Sequence, residues 1–254
     1  MIQLASTPQF SVIIPFHNAK NTLPEALASL RQQTESDWEA ILVDDASKDG
    51  SVTLVQAAAA NDPRLRLIHD PMRNAPRGAA ASRNLGIDAA SGLYIALLDA
   101  DDRWLPAKLG AQRRAFENGA DIVFSSYRRI THDGAPLNIV PAAARVAWAD
   151  ALAGNPIGCL TGAWRRKRFP QARMPERGMH EDYAFWLTLL REGAVAEGLP
   201  EVLAEYRVHP GSASANKLRA AHAVWEILGT QELSVVQRSL GFIRYAHKAL
   251  ARRL

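Results

Sequence analysis

The sequence predicts an α/β fold, a mainly parallel central sheet with helices on both faces. Three observations predict it. Short β-branched runs alternate with helical runs through the first half of the chain. Each strand-like run ends in a polar cluster. The 254 residues are 48% hydrophobic and 22% charged, enough apolar material for a large core.

The elements follow in order. FSVIIPF (10–16) is a β-branched run closed by Pro15. NTLPEALASLRQQT reads as a helix, with Thr22 as cap, Pro24 in the first turn and Glu25 placed for a capping box. Leu23, Leu27 and Leu30 share one face of it. EAILVDDAS (39–47) is a second strand and SVTLVQAAAAND a second helix. RLRLIHD (64–70), the Ala-rich helix RGAAASRNLGIDAAS (77–91) and LYIALLD (93–99) complete the alternation. Further on, ADIVFSSYRRI (120–130) reads as a strand, HEDYAFWLTLLREG (180–193) as a helix stopped by Gly193, and VLAEYRVH (202–209) as a late strand. From Asn216 the pattern is helical, with a break near Gly229 and Thr230.

In such sheets ligands sit beyond the carboxyl ends of the strands. Those ends here carry Pro15, Phe16, His17 and Asn18; Asp44 and Asp45; His69 and Asp70; and Asp99, Ala100, Asp101 and Asp102. Crowded carboxylates repel one another unless a cation joins them. Asp99, Asp101 and Asp102 therefore suit a hard divalent ion shared with a diphosphate, or equally a solvated acidic turn. Asp44 and Asp45 suit hydrogen bonds from a base or ribose, or an Asx-turn.

Arg77, Arg83 and Asn84 lie among small residues near a helix start, where phosphates can approach arginine. The segment is neither G-x-G-x-x-G nor a P-loop, which counts against hydride transfer and P-loop hydrolysis. Glu181 and Asp182 open a helix, either as favourable first-turn charge or as a general base for an acceptor hydroxyl. His209 can be a metal ligand, a phosphate donor or a structural residue.

The single cysteine, Cys159, allows no internal disulfide and fits a reducing compartment. No apolar run is long enough to span a bilayer, and the start shows no secretory signal. The net charge of +4 is concentrated at the end. From Asn216 onward there are seven Lys and Arg against Glu226 and Glu232. A basic tail on a near-neutral body argues against nucleic acid and for a local anionic surface. Leu233, Val236, Leu240, Ile243 and Leu250 share an apolar side of that tail, which either packs back on the domain or lies on anionic lipid. The run Arg165 to Arg168 can extend the same surface.

SVIIPFHN, ILVDDASKDGS, RGAAASRNLGI, YIALLDADD, HEDYAFWLTLL and YRVHPGSAS, taken in this order over about residues 10–212, resemble the family 2 glycosyltransferases. The resemblance implies the GT-A fold, with a catalytic domain over 1–215 and a basic helical segment over 216–254. Its nucleotide-binding half would be 1–105 and its acceptor-binding half 106–215.

The resemblance also implies roles. Pro15 to Asn18, with Asp44 and Asp45, hold the nucleoside. Arg77, Arg83 and Asn84 lie near the base or diphosphate. Asp99-Ala100-Asp101 is the D-x-D motif, with Asp101 the direct ligand of Mn²⁺ or Mg²⁺, Asp99 nearer the ribose and His209 near the metal. Asp182 is the catalytic base, with Glu181 beside it. His17 stands where the family often has Tyr. The implied donor is a nucleoside diphosphate sugar, UDP-linked, and the acceptor a glycan or lipid-linked hydroxyl in cell-surface polysaccharide synthesis. The implied location is cytoplasmic, at the inner face of the plasma membrane. Two other classes of protein fit less well. A sugar-nucleotide nucleotidyltransferase would want a Gly-rich basic loop near the N-terminus, which SVIIPFHNAKN lacks. A non-catalytic sugar-nucleotide binder would not need Asp182.

Overall fold

The computed structural model describes residues 7–176, 179–209 and 217–251. The first half alternates as expected: β1 (Phe10–Phe16), α1 (Leu23–Arg31), β2 (Trp38–Asp44), α2 (Ser51–Asn61), β3 (Leu65–Ile68), α3 (Ala79–Ala89) and β4 (Tyr94–Leu97). The second half continues with β5 (Arg103–Trp104), α4 (Lys108–Glu117), β6 (Ile122–Ile130), β7 (Pro136–Val140), β8 (Arg145–Val146), α5 (Trp148–Ala151), β9 (Ala163–Arg165), α6 (Glu181–Arg191), β10 (Ala196–Arg207), α7 (Lys217–Gly229) and α8 (Val235–Ala251).

Among the described residues these strands form one sheet in the order β3-β2-β1-β4-β9-β6-β10-β5, with β7 beside β6 and β8 beside β10. The first four pair in parallel, with Phe16 level with Asp44 and Ile13 level with both Ile41 and Leu97. Beyond β4 the sheet is mixed. β9 runs antiparallel to β4 and β6, whereas β10 runs parallel to β6.

Residues alternate across the sheet, as the pleat requires. Val12, Ile14, Leu42 and Ala96 pack with Leu23 and Leu27 of α1, Val55 of α2 and Phe116 of α4. Ile13, Ile41, Val43 and Leu97 pack with Ile87 of α3, Trp186 of α6 and Ile227 of α7. Helices therefore cover both faces.

The order reverses at β1. The chain steps from β1 to β2 and β3, then returns to lay β4 on the other side of β1. Such a reversal opens a crevice at the carboxyl ends of the two diverging strands. α3 closes on this point because Gly86 admits it. A Cβ there would sit 2.4 Å from Cγ2 of Ile13. Arg83, one turn earlier on the same face, is thereby held over the crevice.

Three local expectations are corrected. Thr22 makes no side-chain cap bond. Glu25 instead accepts hydrogen bonds from Arg207 (2.7 Å) and Arg103 (3.2 Å). The basic run after β9 is not a free cationic patch. Arg165, Arg166 and Arg168 donate to the carbonyls of Phe116, Gly92 and Glu192. The C-terminal helices do pack on the domain, with Leu233 of the expected stripe against the core but Val236, Leu240 and Ile243 turned away from it. α8 turns Phe242 and Tyr245 inward, towards the core that holds α6 and α7. Arg238 lies over the Trp225 ring at 3.9 Å. Val236, Leu240 and Ile243 face outward, 68%, 49% and 61% exposed. Pro210 to Ser214 of the last motif, the boundary at 215, Arg252 and Arg253 lie outside the described residues, as do the side chains of Lys217, Lys248 and Leu250.

Candidate active site

The crevice is a cleft of about 610 Å³. Pro15, Phe16, His17 and Asn18 after β1 form one wall, and Asp45 and Arg83 the back. Asp99, Ala100 and Asp101 after β4 lie opposite, with Tyr206 and His209 closing the far side. Sequence reasoning expected all of these except Tyr206.

The β1 end is held from below. His17 donates from Nδ1 to the Asp45 carbonyl (2.6 Å) and accepts at Nε2 from Asn18 Nδ2 (3.0 Å). The ring thus carries its proton on Nδ1 and presents an edge to the cleft. Asn18, at a φ of 50°, also takes the Lys48 amide on its side-chain oxygen at 2.7 Å. The Asp45 carboxylate accepts the Arg77 and Gly78 amides (2.7 and 2.9 Å). It fixes the loop that leads into α3, and the Arg77 guanidinium lies 3.6 Å from it.

Two predicted nucleotide contacts are committed elsewhere. Asp44 is buried and accepts from His69 Nδ1 (2.9 Å) and the Ser47 amide (3.0 Å), which makes it a clasp between β2 and β3. Asn84 exchanges two hydrogen bonds with the backbone of Met174, at 2.9 and 2.8 Å. Both ends of its amide are engaged there and hold the segment that approaches α6. Asp70 is exposed, and it accepts the Met72 amide on its carboxylate and the Arg73 amide on its carbonyl.

Arg83 is the centre of the site. Its buried guanidinium donates to Asp99 Oδ1 at 2.6 Å and to Glu181 Oε1 at 2.8 Å. One side chain on α3 thus links the end of β4 to the start of α6. Asp182 follows Glu181, and His180 precedes it in the left-handed region at a φ of 58°. Burial, and then the neighbouring Glu181, push the Asp182 carboxyl up to about 6. Asn155 Nδ2 donates to its Oδ2 at 2.8 Å.

The other end of the D-x-D segment is shaped by a residue that sequence reasoning passed over. Arg207, buried at the end of β10, gives its amide to Asp102 (2.8 Å), its Nε to the Asp101 carbonyl (2.8 Å) and a terminal nitrogen to the His132 carbonyl (2.6 Å). Its place in YRVHPGSAS, two residues before His209, was the available signal. His209 Nε2 donates to Asp101 Oδ2 at 2.8 Å. Burial and then Asp99 push the Asp101 carboxyl above its ordinary range, with His209 opposing. Burial, Asp99 and Asp101 push Asp102 well above it.

The donor set fits a hard divalent ion. Asp101 and Asp99 offer carboxylate oxygen, and His209 an imidazole nitrogen, around a charge cost that a dication would offset. Among the described residues no three His, Cys, Asp or Glu side chains are grouped closely enough to hold an ion by themselves. An ion here would complete its shell with diphosphate oxygens and water.

This is the architecture of a GT-A transferase, a sheet whose switch-point cleft holds paired carboxylates facing a second acidic pair. Comparisons with solved structures agree on the fold. S. aureus TarS bound to UDP-GlcNAc superimposes with a TM-score of 0.71 at 18% identity, over 94% of this chain and 71% of that one. A mannosyltransferase from Pyrobaculum calidifontis, bound to GDP-Man and Mn²⁺, gives 0.71 at 21% identity, over 96% and 70%. The chain spans 43% of a longer TarS structure. The family model for glycosyl transferase family 2 matches residues 11–177, and the chain belongs to that family. It is a glycosyltransferase.

Two curated relatives cover nearly the same length. A putative teichuronic acid biosynthesis glycosyltransferase of Bacillus subtilis, TuaG, is 35% identical over 97% of this chain and 98% of its own. WfgD of Escherichia coli, a UDP-Glc:α-D-GlcNAc-diphosphoundecaprenol β-1,3-glucosyltransferase, is 30% identical over 86% and 85%.

Proposed function

We propose that the protein is a metal-dependent, inverting glycosyltransferase. It would move a sugar from a UDP-sugar to a hydroxyl of a lipid-linked or glycan acceptor during cell-surface polysaccharide synthesis. The observation that carries this reading is Arg83, which ties the Asp99 carboxylate to Glu181, the neighbour of Asp182. The Asp99 end of the cleft and the Glu181–Asp182 pair are thus joined through one guanidinium, which supports a leaving diphosphate and a proton acceptor acting together. The WfgD relative, named for a UDP-Glc donor, a lipid diphosphate acceptor and a β-linked product, supports the same reading.

The nucleoside lies between Phe16, His17 and Asp45, with the diphosphate reaching Asp99 and Asp101. Mn²⁺ or Mg²⁺, for which Asp101, Asp99 and His209 are the candidate ligands, would supply positive charge against the departing diphosphate. Asp182 takes the proton of the acceptor hydroxyl. The freed oxygen bonds to the anomeric carbon from the face opposite the leaving group. The anomeric carbon–oxygen bond breaks and its electron pair leaves on the diphosphate, so an α-linked donor yields a β-glycoside. A base with a pKa of about 6 is ionised at neutral pH and still basic enough to share the proton. Cys159 offers no thiolate nucleophile, because burial first of all holds its thiol well above the ordinary range. Alignment of the two reactants supplies about 7–11 kcal/mol of the barrier reduction.

α8 adds a location. Its outward Val236, Leu240 and Ile243 sit beside exposed Arg244 on the basic segment, a pattern suited to an anionic bilayer surface at the cytoplasmic face. Among the described residues no helix is long and apolar enough to cross a membrane.

The test begins with calorimetric titration of UDP, with and without Mn²⁺, into wild type and Asp101→Ala. Turnover of UDP-glucose, UDP-GlcNAc and GDP-mannose is then followed for wild type and Asp182→Asn. Metal-dependent UDP binding that needs Asp101, with turnover reduced about 10²–10⁴-fold in Asp182→Asn, is expected. Full turnover in Asp182→Asn would overturn the reading. For α8, sedimentation with phosphatidylglycerol vesicles should be lost in Val236→Asp/Ile243→Asp. Equal sedimentation of both forms removes the lipid assignment.

A further inference from the structure

Asp182 has two carboxylate oxygens, and among the described residues only one of them has a side-chain partner. Oδ2 accepts from Asn155 Nδ2 at 2.8 Å. The Asn155 amide cannot turn over without loss, because its other end, Oδ1, accepts the Ile157 amide at 3.1 Å. Exchanging the two ends would set oxygen against carboxylate and NH₂ against N–H. The backbone therefore fixes the amide with its donor aimed at the base.

The loop that carries Asn155 is itself anchored. Tyr183, the residue after Asp182, donates its hydroxyl to the Ala151 carbonyl at 2.8 Å, so the turn of α6 bearing the base and the end of α5 are tied twice. Pro156 restricts the chain immediately after Asn155. On the other flank, α8 presses on the same segment. A Cβ on Gly241 would meet the Leu152 carbonyl at 3.1 Å, and one on Gly154 would meet the Tyr245 ring at 3.3 Å.

We propose that Asn155 is the positioning residue for the catalytic base, a role that rests on the reading of Asp182 as that base. The donated hydrogen bond has two effects. It favours the ionised carboxylate, against the burial and the Glu181 charge that disfavour it. It also occupies Oδ2, so that Oδ1 is the oxygen left to take the acceptor proton. The O–H bond of the acceptor breaks as the Oδ1–H bond forms, and the Asn155 contact stays in place on the other oxygen throughout. A carboxamide suits this task better than a charged donor would. It steadies the anion without lowering the basicity as far as Arg or Lys would.

The replacement that separates this role from loop structure is Asn155→Asp. Its carboxylate can still accept the Ile157 amide, so the loop keeps its backbone bond. It can no longer donate, and it brings a like charge to Oδ2. Asn155→Leu removes both bonds. The readout is kcat against pH, at saturating Mn²⁺ and whichever of UDP-glucose, UDP-GlcNAc and GDP-mannose is turned over fastest. Saturation keeps ligand-binding groups from setting the acid limb.

The expected result is an acid limb near the base's own value in wild type, moved up by about one pH unit in Asn155→Leu and further in Asn155→Asp. The KM for the donor should change less than twofold. An Asn155→Asp limb that coincides with wild type, with kcat lowered or not, would overturn the proposal and leave Asn155 a loop residue. Asp182→Asn, run beside these, separates the two readings. If it retains full turnover, Asp182 is not the base. If it is inactive while the Asn155→Asp limb stays in place, only the positioning role fails.

Discussion

The two halves of the sheet reach the cleft by different means. In the half from β1 to β4 every strand is parallel and short, and each crossover delivers the next carboxyl end to the same edge. Site residues there sit at the ends of β1 and β2 or within four positions after β1, β2 and β4, with Arg83 supplied by α3. In the half from β5 to β10 parallel and antiparallel pairs mix, and β10 is bulged between Leu199 and Ala204. Its site residues arrive by longer routes. Asp182 comes from a helix start behind a left-handed His180, and His209 from the end of a 12-residue strand. A parallel arrangement places functional groups by topology alone, whereas the mixed half needs side chains to hold its groups in place.

The strongest way to break that contrast is at the link between halves. Arg83→Met leaves Asp99 and Glu181 facing each other without their shared cation. Removing one partner of a buried ionic cluster costs on the order of 3 kcal/mol, at the low end here because both carboxylates keep some water. Urea unfolding should show that loss, and donor turnover should fall together with it. Stability unchanged within error would mean that the two halves hold together without Arg83.

A smaller effect probes the second half alone. The Lys108 ammonium on α4 is fully buried, donates to the Thr161 carbonyl at 2.9 Å, and is held by burial at about 7 rather than 10.5. The folded state thus binds this proton less tightly than the unfolded chain. Stability should rise with pH from about 7 towards about 10, and lose this slope below about 7, where both states are charged. Lys108→Met should remove the slope, worth on the order of 2 kcal/mol between about pH 7 and about pH 9. The Thr161 carbonyl keeps Gln112 as donor at 2.8 Å. Parallel pH–stability curves for the two proteins would show that Lys108 stays charged in the fold.

Asn84→Leu tests the second strap across the halves. It orphans the amide and carbonyl of Met174, at a cost of about 1–2 kcal/mol by urea midpoint. Increased proteolytic nicking should appear near Met174. Nicking unchanged from wild type would show that the segment is held by other contacts. The smallest effect belongs to Thr22→Ala, within about 0.5 kcal/mol, since Thr22 makes no cap bond. A loss typical of an N-cap, about 1 kcal/mol, would mean that the capping bond forms in solution.

Legibility followed the same division. The parallel strands were readable because β-branched runs stop at polar residues, and the cleft wall from Pro15 to Asp101 followed from that edge. Two local readings failed because distant partners won. Glu25 has capping-box spacing, yet it pairs with Arg207, 182 positions away. Asp44 and Asn84 look like ligand groups by type, but each is engaged by the protein itself, Asp44 with His69 and Asn84 with the Met174 backbone. The first half of β10 was missed because Gly198 and Pro200 break the pattern of a strand interior, and they sit where its pairing with β6 slips. Asn155 was invisible for another reason. An isolated Asn before Pro reads as a turn, and its partner lies 27 residues on.

The two straps from adjacent residues of α3 bear on how such enzymes can be recombined. Arg83 reaches Glu181 and Asn84 reaches Met174, so one turn of one helix seats both the Met174 segment and the start of α6. A hybrid that joins this chain's first hundred or so residues to the remainder of a relative inherits a working seam only if the graft offers an acid at the Glu181 position and a free backbone at the Met174 position. The junction therefore has two checkpoints, both readable from an alignment before any gene is made. Shuffling that respects them can vary the second half of the chain while leaving both straps to α3 in place.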